Sequence, residues 1–99
     1  ILDLKRLELA RALPCRPKLI LLDEVAAGLT EEEIPPLLEI LRMIHDEGVS
    51  FLAIDHVLSV ILEISHRVIV MNAGRIIAEG KPEEIMSKPE VLEAYFGII

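Results

Sequence analysis

The sequence predicts an α/β fold: a mostly parallel sheet with helices on both faces, followed by a C-terminal β-hairpin and short helices. Three observations carry this expectation. Residues 18–24 read KLILLDE and residues 49–56 read VSFLAIDH, two aliphatic runs that each end in a polar pair. Continuous apolar runs suit strands buried on both faces, the pattern of parallel sheets sandwiched between helices. The stretch between them has helical periodicity, and a right-handed strand–helix–strand crossover is what joins parallel neighbours. Beyond them, two short apolar runs flank Asn72-Ala73-Gly74, which predicts a hairpin over 67–79.

Taken in order, residues 2–13 place Leu2, Leu9 and Leu13, with Leu7, Ala10 and Ala12 around them, at helical spacing. Lys5, Arg6, Glu8 and Arg11 fill the polar side, and Pro14 ends the helix. The pattern starts at the first residue without a cap and is expected to continue something longer. A strand over 18–23 follows, then a loop, VAAGLT, turning at Gly28. Thr30 and Glu33 have capping-box spacing. Pro35 and Pro36 lack backbone donors, so the regular helix is expected from about Pro36 to Glu47 after a distorted first turn. Leu37, Leu38, Leu41 and Ile44 form its apolar stripe, and Gly48 suits the C′ position. Residues 49–55 read as the second strand and 57–65 as a short helix with Val57, Val60, Ile61 and Ile64 inward. The hairpin comes next and stops at Gly80. Pro82 and Pro89 each open a short helix, over about 82–87 and 89–95, the second ending at Gly97. The hairpin's second strand is expected to run antiparallel at one edge of the sheet. No internal repeat, low-complexity tract or linker interrupts the pattern, and a single domain over 1–99 is expected.

Composition narrows the function class. Hydrophobic residues make up 53% of the chain, yet no apolar run approaches the roughly 18 residues of a membrane span, and no signal-peptide layout opens the chain. The surplus apolar surface is expected to meet another domain or another copy of the chain. A net charge of −7 argues against nucleic acid, since neutralising phosphates requires a basic face. The aromatics are Phe51, Tyr95 and Phe96, too few for a base-stacking platform. Glu31–Glu33 reads as a solvated helix start. The lone Cys15 excludes an internal disulfide and a cysteine metal cluster, and reads as a loop residue in a reducing compartment.

The chemistry concentrates at two strand ends. If the strands over 18–23 and 49–55 are crossover neighbours, Asp23-Glu24 and Asp55-His56 lie at one carboxyl edge, where open α/β sheets bind ligands. Two carboxylates and an imidazole there can hold a hydrated Mg²⁺, orient a water and contact a phosphate. Plainer roles compete: Asp55 as a cap for the helix after it, His56 as a helix N-terminal residue, Asp23 and Glu24 as solvated loop carboxylates.

With these residues in view, the chain resembles the ATP-binding-cassette (ABC) transporter ATPases, a branch of the P-loop NTPase fold. KLILLDE is similar to their Walker B strand, AAGLT at 26–30 to their D-loop, and IDH at 54–56 to their switch histidine. KRLELARAL at 5–13 is similar to the helix after their signature motif, and HRVIVMNAGRIIAEGKPEEI at 66–85 to their strand–turn–strand. The tail KPEVLEAYFGI at 88–98 resembles the C-terminal segment of the branched-chain amino acid importer ATPases.

The resemblance implies roles. Asp23 would hold the Mg²⁺ of MgATP through water, Glu24 would be the general base, and His56 would contact the γ-phosphate. Ala27, Gly28 and Leu29 would face a partner subunit, and Asp3 would be a remnant of the signature motif. The parent family uses ATP and Mg²⁺ on the cytoplasmic side of the membrane, beside the transporter's membrane subunits. There are departures. No GxxxxGK[ST] occurs in the 99 residues, and the family's glutamine loop and adenine-stacking aromatic are missing. Val25 replaces the usual proline, and Asp55 stands where the family more often has Glu. The chain alone is therefore expected to be inactive and to bind no nucleotide tightly. The resemblance also places the P-loop strand between the strand ending at His56 and the strand at 67–71. With that strand outside this sequence, two outcomes are expected: the flanking strands close together, or a second copy fills the gap by swapping or edge pairing. An N-terminal cassette portion or a second copy is thus the expected partner, and a non-catalytic interaction module is the alternative to an ATPase portion.

Overall fold

The computed structural model describes residues 1–97; the tail motif ends at Ile98, outside the described residues. The chain divides into two compact units, Ile1–Val60 and Ile61–Ile99.

The first unit opens with α1 (Leu2–Ala12), which closes through a 3-10 turn, Leu13–Cys15, containing Pro14. The helix lies where the leucine spacing predicts it, but Leu9 is its one buried residue among those described, while Leu4 and Leu7 are exposed. β1 (Leu19–Asp23) and β2 (Ser50–Ile54) pair in parallel, from Leu19 opposite Ser50 to Asp23 opposite Ile54. Between them Thr30 and Glu33 form the predicted capping box at the 3-10 turn Glu31–Glu33. α2 (Ile34–Asp46) follows with Leu37, Leu38, Leu41 and Ile44 buried. The two prolines fall in its first turn, where a missing N–H costs no helical bond, so the helix starts before Pro35 rather than after it. Gly48 takes φ +97° just beyond the helix, and its N–H reaches the His45 carbonyl at 2.9 Å.

The Glu33 carboxylate accepts from the Thr30 N–H and from the Thr30 hydroxyl, each at 3.1 Å. The backbone bond first, and the hydroxyl second, hold its carboxyl below its ordinary value. A carboxyl depressed in the folded state adds stability above its unfolded value and loses it as pH falls through the folded value. The stability advantage of the native chain over Glu33→Gln, taken from urea midpoints, is therefore expected to be present at neutral pH and to be lost in acid, as pH falls below the ordinary glutamate range and through the lowered folded value.

Aliphatic β1 and β2 are covered on one face only. Ile20 and Leu22 are buried, but Leu19, Leu21, Leu52 and Ile54 are 52–70% exposed on the opposite face. The expectation of strands covered on both faces thus holds for one of them. Within this unit α1 and α2 touch each other, and the sheet has two strands.

The second unit carries the end of α3 (Leu58–Ile64), whose sequence crosses the boundary, and then β3 (Val68–Asn72) and β4 (Arg75–Gly80). These pair antiparallel around Ala73 and Gly74, at φ +50° and +77°. Two successive positive φ values make the type I′ turn whose twist matches the strands it joins. Two short helices follow, α4 (Pro82–Ile85) and α5 (Pro89–Phe96), the latter ended by Gly97 in the left-handed region. Val68, Val70, Ala78, Ile85 and Val91 form one buried cluster, with Ile61 and Ile77 against it.

One topological expectation is corrected. The hairpin does not extend the parallel sheet; β1–β2 and β3–β4 are separate two-stranded sheets. Nor do β2 and β3 pair with each other among the described residues.

Candidate functional site

The parallel register brings the two polar pairs to one edge. Asp23 ends β1 directly opposite Ile54, the end of β2. The ladder continues one step further, with the Glu24 N–H donating to the Ile54 carbonyl at 2.8 Å. Glu24 then turns the chain with φ +50°, a left-handed conformation that costs a non-glycine residue about 1 kcal/mol or more. The Ala27 N–H returns to the Glu24 carbonyl at 3.0 Å, and Lys5 Nζ approaches the same oxygen at 3.4 Å.

This turn sets Glu24 beside the second pair. Its Oε1 lies 3.4 Å from His56 Nδ1. Both side chains remain open to solvent, 57% and 73% exposed, so a ligand can reach them. With a carboxylate against Nδ1, the favoured tautomer carries its proton there and leaves Nε2 for a second partner. Asp55 is different: its side chain is 1% exposed, and Oδ1 lies 3.9 Å from His56 Nδ1. Oδ1 accepts from the Val57 N–H at 2.9 Å and Oδ2 faces the Ala26 N–H at 3.4 Å. The helix begins at Leu58, so the Oδ1 bond to the Val57 N–H, two residues on, closes a local turn before α3 in place of the cap weighed for Asp55.

The other predicted residues separate. Gly28 turns at φ +80°, a backbone conformation that favours glycine. Asp3 lies in the first turn of α1, exposed, with its carboxylate 3.1 Å from Arg6. It contributes to a local i,i+3 pair rather than to the Glu24–His56 cluster. Asp23 is exposed at the strand end. Among the described residues, no group of three or more His, Cys, Asp or Glu converges as a cage for a metal. A single strand-end carboxylate still fits Mg²⁺, which keeps most of its waters and leans on one or two carboxylates plus substrate phosphates. The left-handed turn at Glu24 and the Ala26–Asp55 contact were not legible in advance. The one available signal was an acidic residue two positions before an N–H at a strand-to-helix junction.

The chain is similar to known proteins along most of its length. Residues 75–98 match the family model for the branched-chain amino acid ATP-binding cassette transporter. The chain is 38% identical, over 94% of its length, to the high-affinity branched-chain amino acid transport ATP-binding protein BraF of Pseudomonas aeruginosa. It is 40% identical, over 96% of its length, to the probable branched-chain amino acid transport ATP-binding protein LivG of Archaeoglobus fulgidus. The structure superposes on an ATP-binding cassette of an ABC transporter in its ADP conformation with TM-score 0.87 at 33% identity, covering 98% of this chain. The chain corresponds to the C-terminal portion of an ABC ATP-binding protein of the branched-chain amino acid type. It spans 37% of the length of each of those two relatives and 40% of the solved cassette. The α/β strands and helices described above are accordingly part of a P-loop NTPase core. Among the described residues of this cassette portion, no helix is long and apolar enough to cross a membrane.

Proposed function

We propose that this cassette portion supplies the water-activating and phosphate-contacting edge of an ATP hydrolysis site that drives import of branched-chain amino acids or similar solutes. The observation that carries the reading is the Glu24–His56 pair, 3.4 Å apart at the carboxyl ends of adjacent parallel strands. In this reading Glu24 takes a proton from the attacking water. The water oxygen forms the new bond to the γ-phosphorus as the bond to the ADP oxygen breaks. Glu24 orients His56 through Nδ1, and Nε2 contacts the γ-phosphate oxygens. Asp23 would hold Mg²⁺ through water, and the ion would neutralise charge developing on the phosphates. Gly28 and its neighbours would face a second cassette. The membrane subunits of a transporter, at the cytoplasmic face of the membrane, are the partners the reading requires.

The phosphate cradle lies outside these residues. A P-loop presents successive backbone N–H groups and a lysine to the phosphates, and no GxxxxGK[ST] occurs here. The 99-residue chain alone is therefore expected to show no MgATP binding at micromolar concentrations by calorimetry. Grafted in place of the corresponding portion of the Archaeoglobus fulgidus LivG, it is expected to support hydrolysis. A graft that folds and binds MgATP without turnover counts against the reading.

One observation favours a second reading, a non-catalytic oligomerising module: the open aliphatic face of Leu19, Leu21, Leu52 and Ile54. A homo-oligomer by light scattering, together with an inactive graft, is the result that would move the assignment there.

A further inference from the structure

Asp55 is the most enclosed acidic side chain at the site, and the hydrolysis reading gives it no task. Its surroundings give it one. An ionised carboxylate removed from water is costly unless its oxygens are satisfied. Here the two oxygens face N–H groups on different segments: Oδ1 that of Val57, directly after His56, and Oδ2 that of Ala26, two residues after Glu24. The segment receiving Oδ2 is the one that carries the left-handed turn at Glu24. That turn is strained, so it persists only where neighbouring bonds over-determine it. The Glu24 N–H to Ile54 bond fixes it on one side, and the Ala26–Asp55 contact fixes it on the other.

We propose that Asp55 is a positioning residue that ties the loop after β1 to His56 and so sets the Glu24–His56 spacing. It rests on the hydrolysis reading for its consequence, but not for its test. Each oxygen has a separate duty, and this makes the duties separable. Asparagine in place of Asp55 keeps one acceptor oxygen for Val57 and turns an NH₂ donor toward the Ala26 N–H. The local turn before α3 then survives while the tether between segments is lost. A residue that only closed the local turn before α3 would affect Val57 alone.

The test is amide hydrogen exchange and proton NMR on the chain itself, without nucleotide. In the native chain the Ala26 amide is expected to be protected, against the fast exchange of an open loop. In Asp55→Asn, Ala26 exchange is expected to rise about tenfold, with Val57 changed by less than about threefold. Cross-peaks between the Glu24 side chain and the His56 ring are expected to weaken in the same variant. An unprotected Ala26 in the native chain overturns the proposal whether or not any variant folds. Unchanged Ala26 exchange, or undiminished Glu24–His56 cross-peaks, in a folded Asp55→Asn chain overturns it too. An inactive graft with a confirmed tether would defeat the hydrolysis reading and leave this one standing.

Discussion

Replacing Glu24 by glutamine in the LivG graft is expected to lower ATP turnover about a hundred- to ten-thousand-fold, with MgATP affinity changed by less than about threefold. The argument rests on what the substitution keeps. Glutamine has nearly the shape of glutamate, takes the same left-handed backbone at about the same cost, and still presents an oxygen toward His56 Nδ1. It cannot accept a proton from water. A residue acting only in the transition state lowers turnover without changing ground-state binding, and the proposed reading assigns most phosphate binding to groups outside this portion. Steady-state hydrolysis and nucleotide calorimetry on the same variant separate the two quantities. Equal turnover in both forms would remove Glu24 from the role of base and leave His56 to be tested alone.

Leu37→Ala is expected to destabilise the chain by about 2–5 kcal/mol, seen as a lower urea midpoint with little change in slope. Leu37 is 0% exposed on α2, so truncation removes its buried methyl groups and leaves a cavity. Small domains have only about 5–15 kcal/mol of net stability, so this one change is expected to reach a large part of the total. Leu21→Ala is the internal control. Leu21 has the same chemistry and lies in the central run of β1, but it is 70% exposed. It is expected to cost well under 1 kcal/mol in the isolated chain, since little area leaves water there on folding. A large loss at Leu21 would mean that the aliphatic face is covered in solution.

Much of the fold was legible from local chemistry. Pro14, Gly48, Gly80 and Gly97 mark boundaries because their backbone preferences act within one turn, and the elements end within a few residues of them. The Thr30–Glu33 box and the Ala73-Gly74 turn were equally visible, since each closes over four residues. The aliphatic runs identified the strands but misjudged their surroundings. Leu19 to Leu22 reads as buried on both faces, and the structure covers Ile20 and Leu22 only. Burial depends on what packs from elsewhere, and a run of leucines carries no information on whether that partner is in the same 99 residues.

The site divides along the same line. The sequence by itself determined the chemical inventory, Asp23, Glu24, Asp55 and His56, and their positions at the ends of two strands. The pairing of those strands in parallel was decided by tertiary structure, and it turned a spacing of 32 residues between Glu24 and His56 into 3.4 Å. Tertiary structure also sorted two similar acids at one edge. Glu24 stays open on a strained turn, while Asp55 is enclosed between two backbone amides. Solvation and hydrogen bonding separate a carboxylate open to water from one whose two oxygens face backbone amides. Both are properties of the surrounding atoms, and residue identity does not encode them.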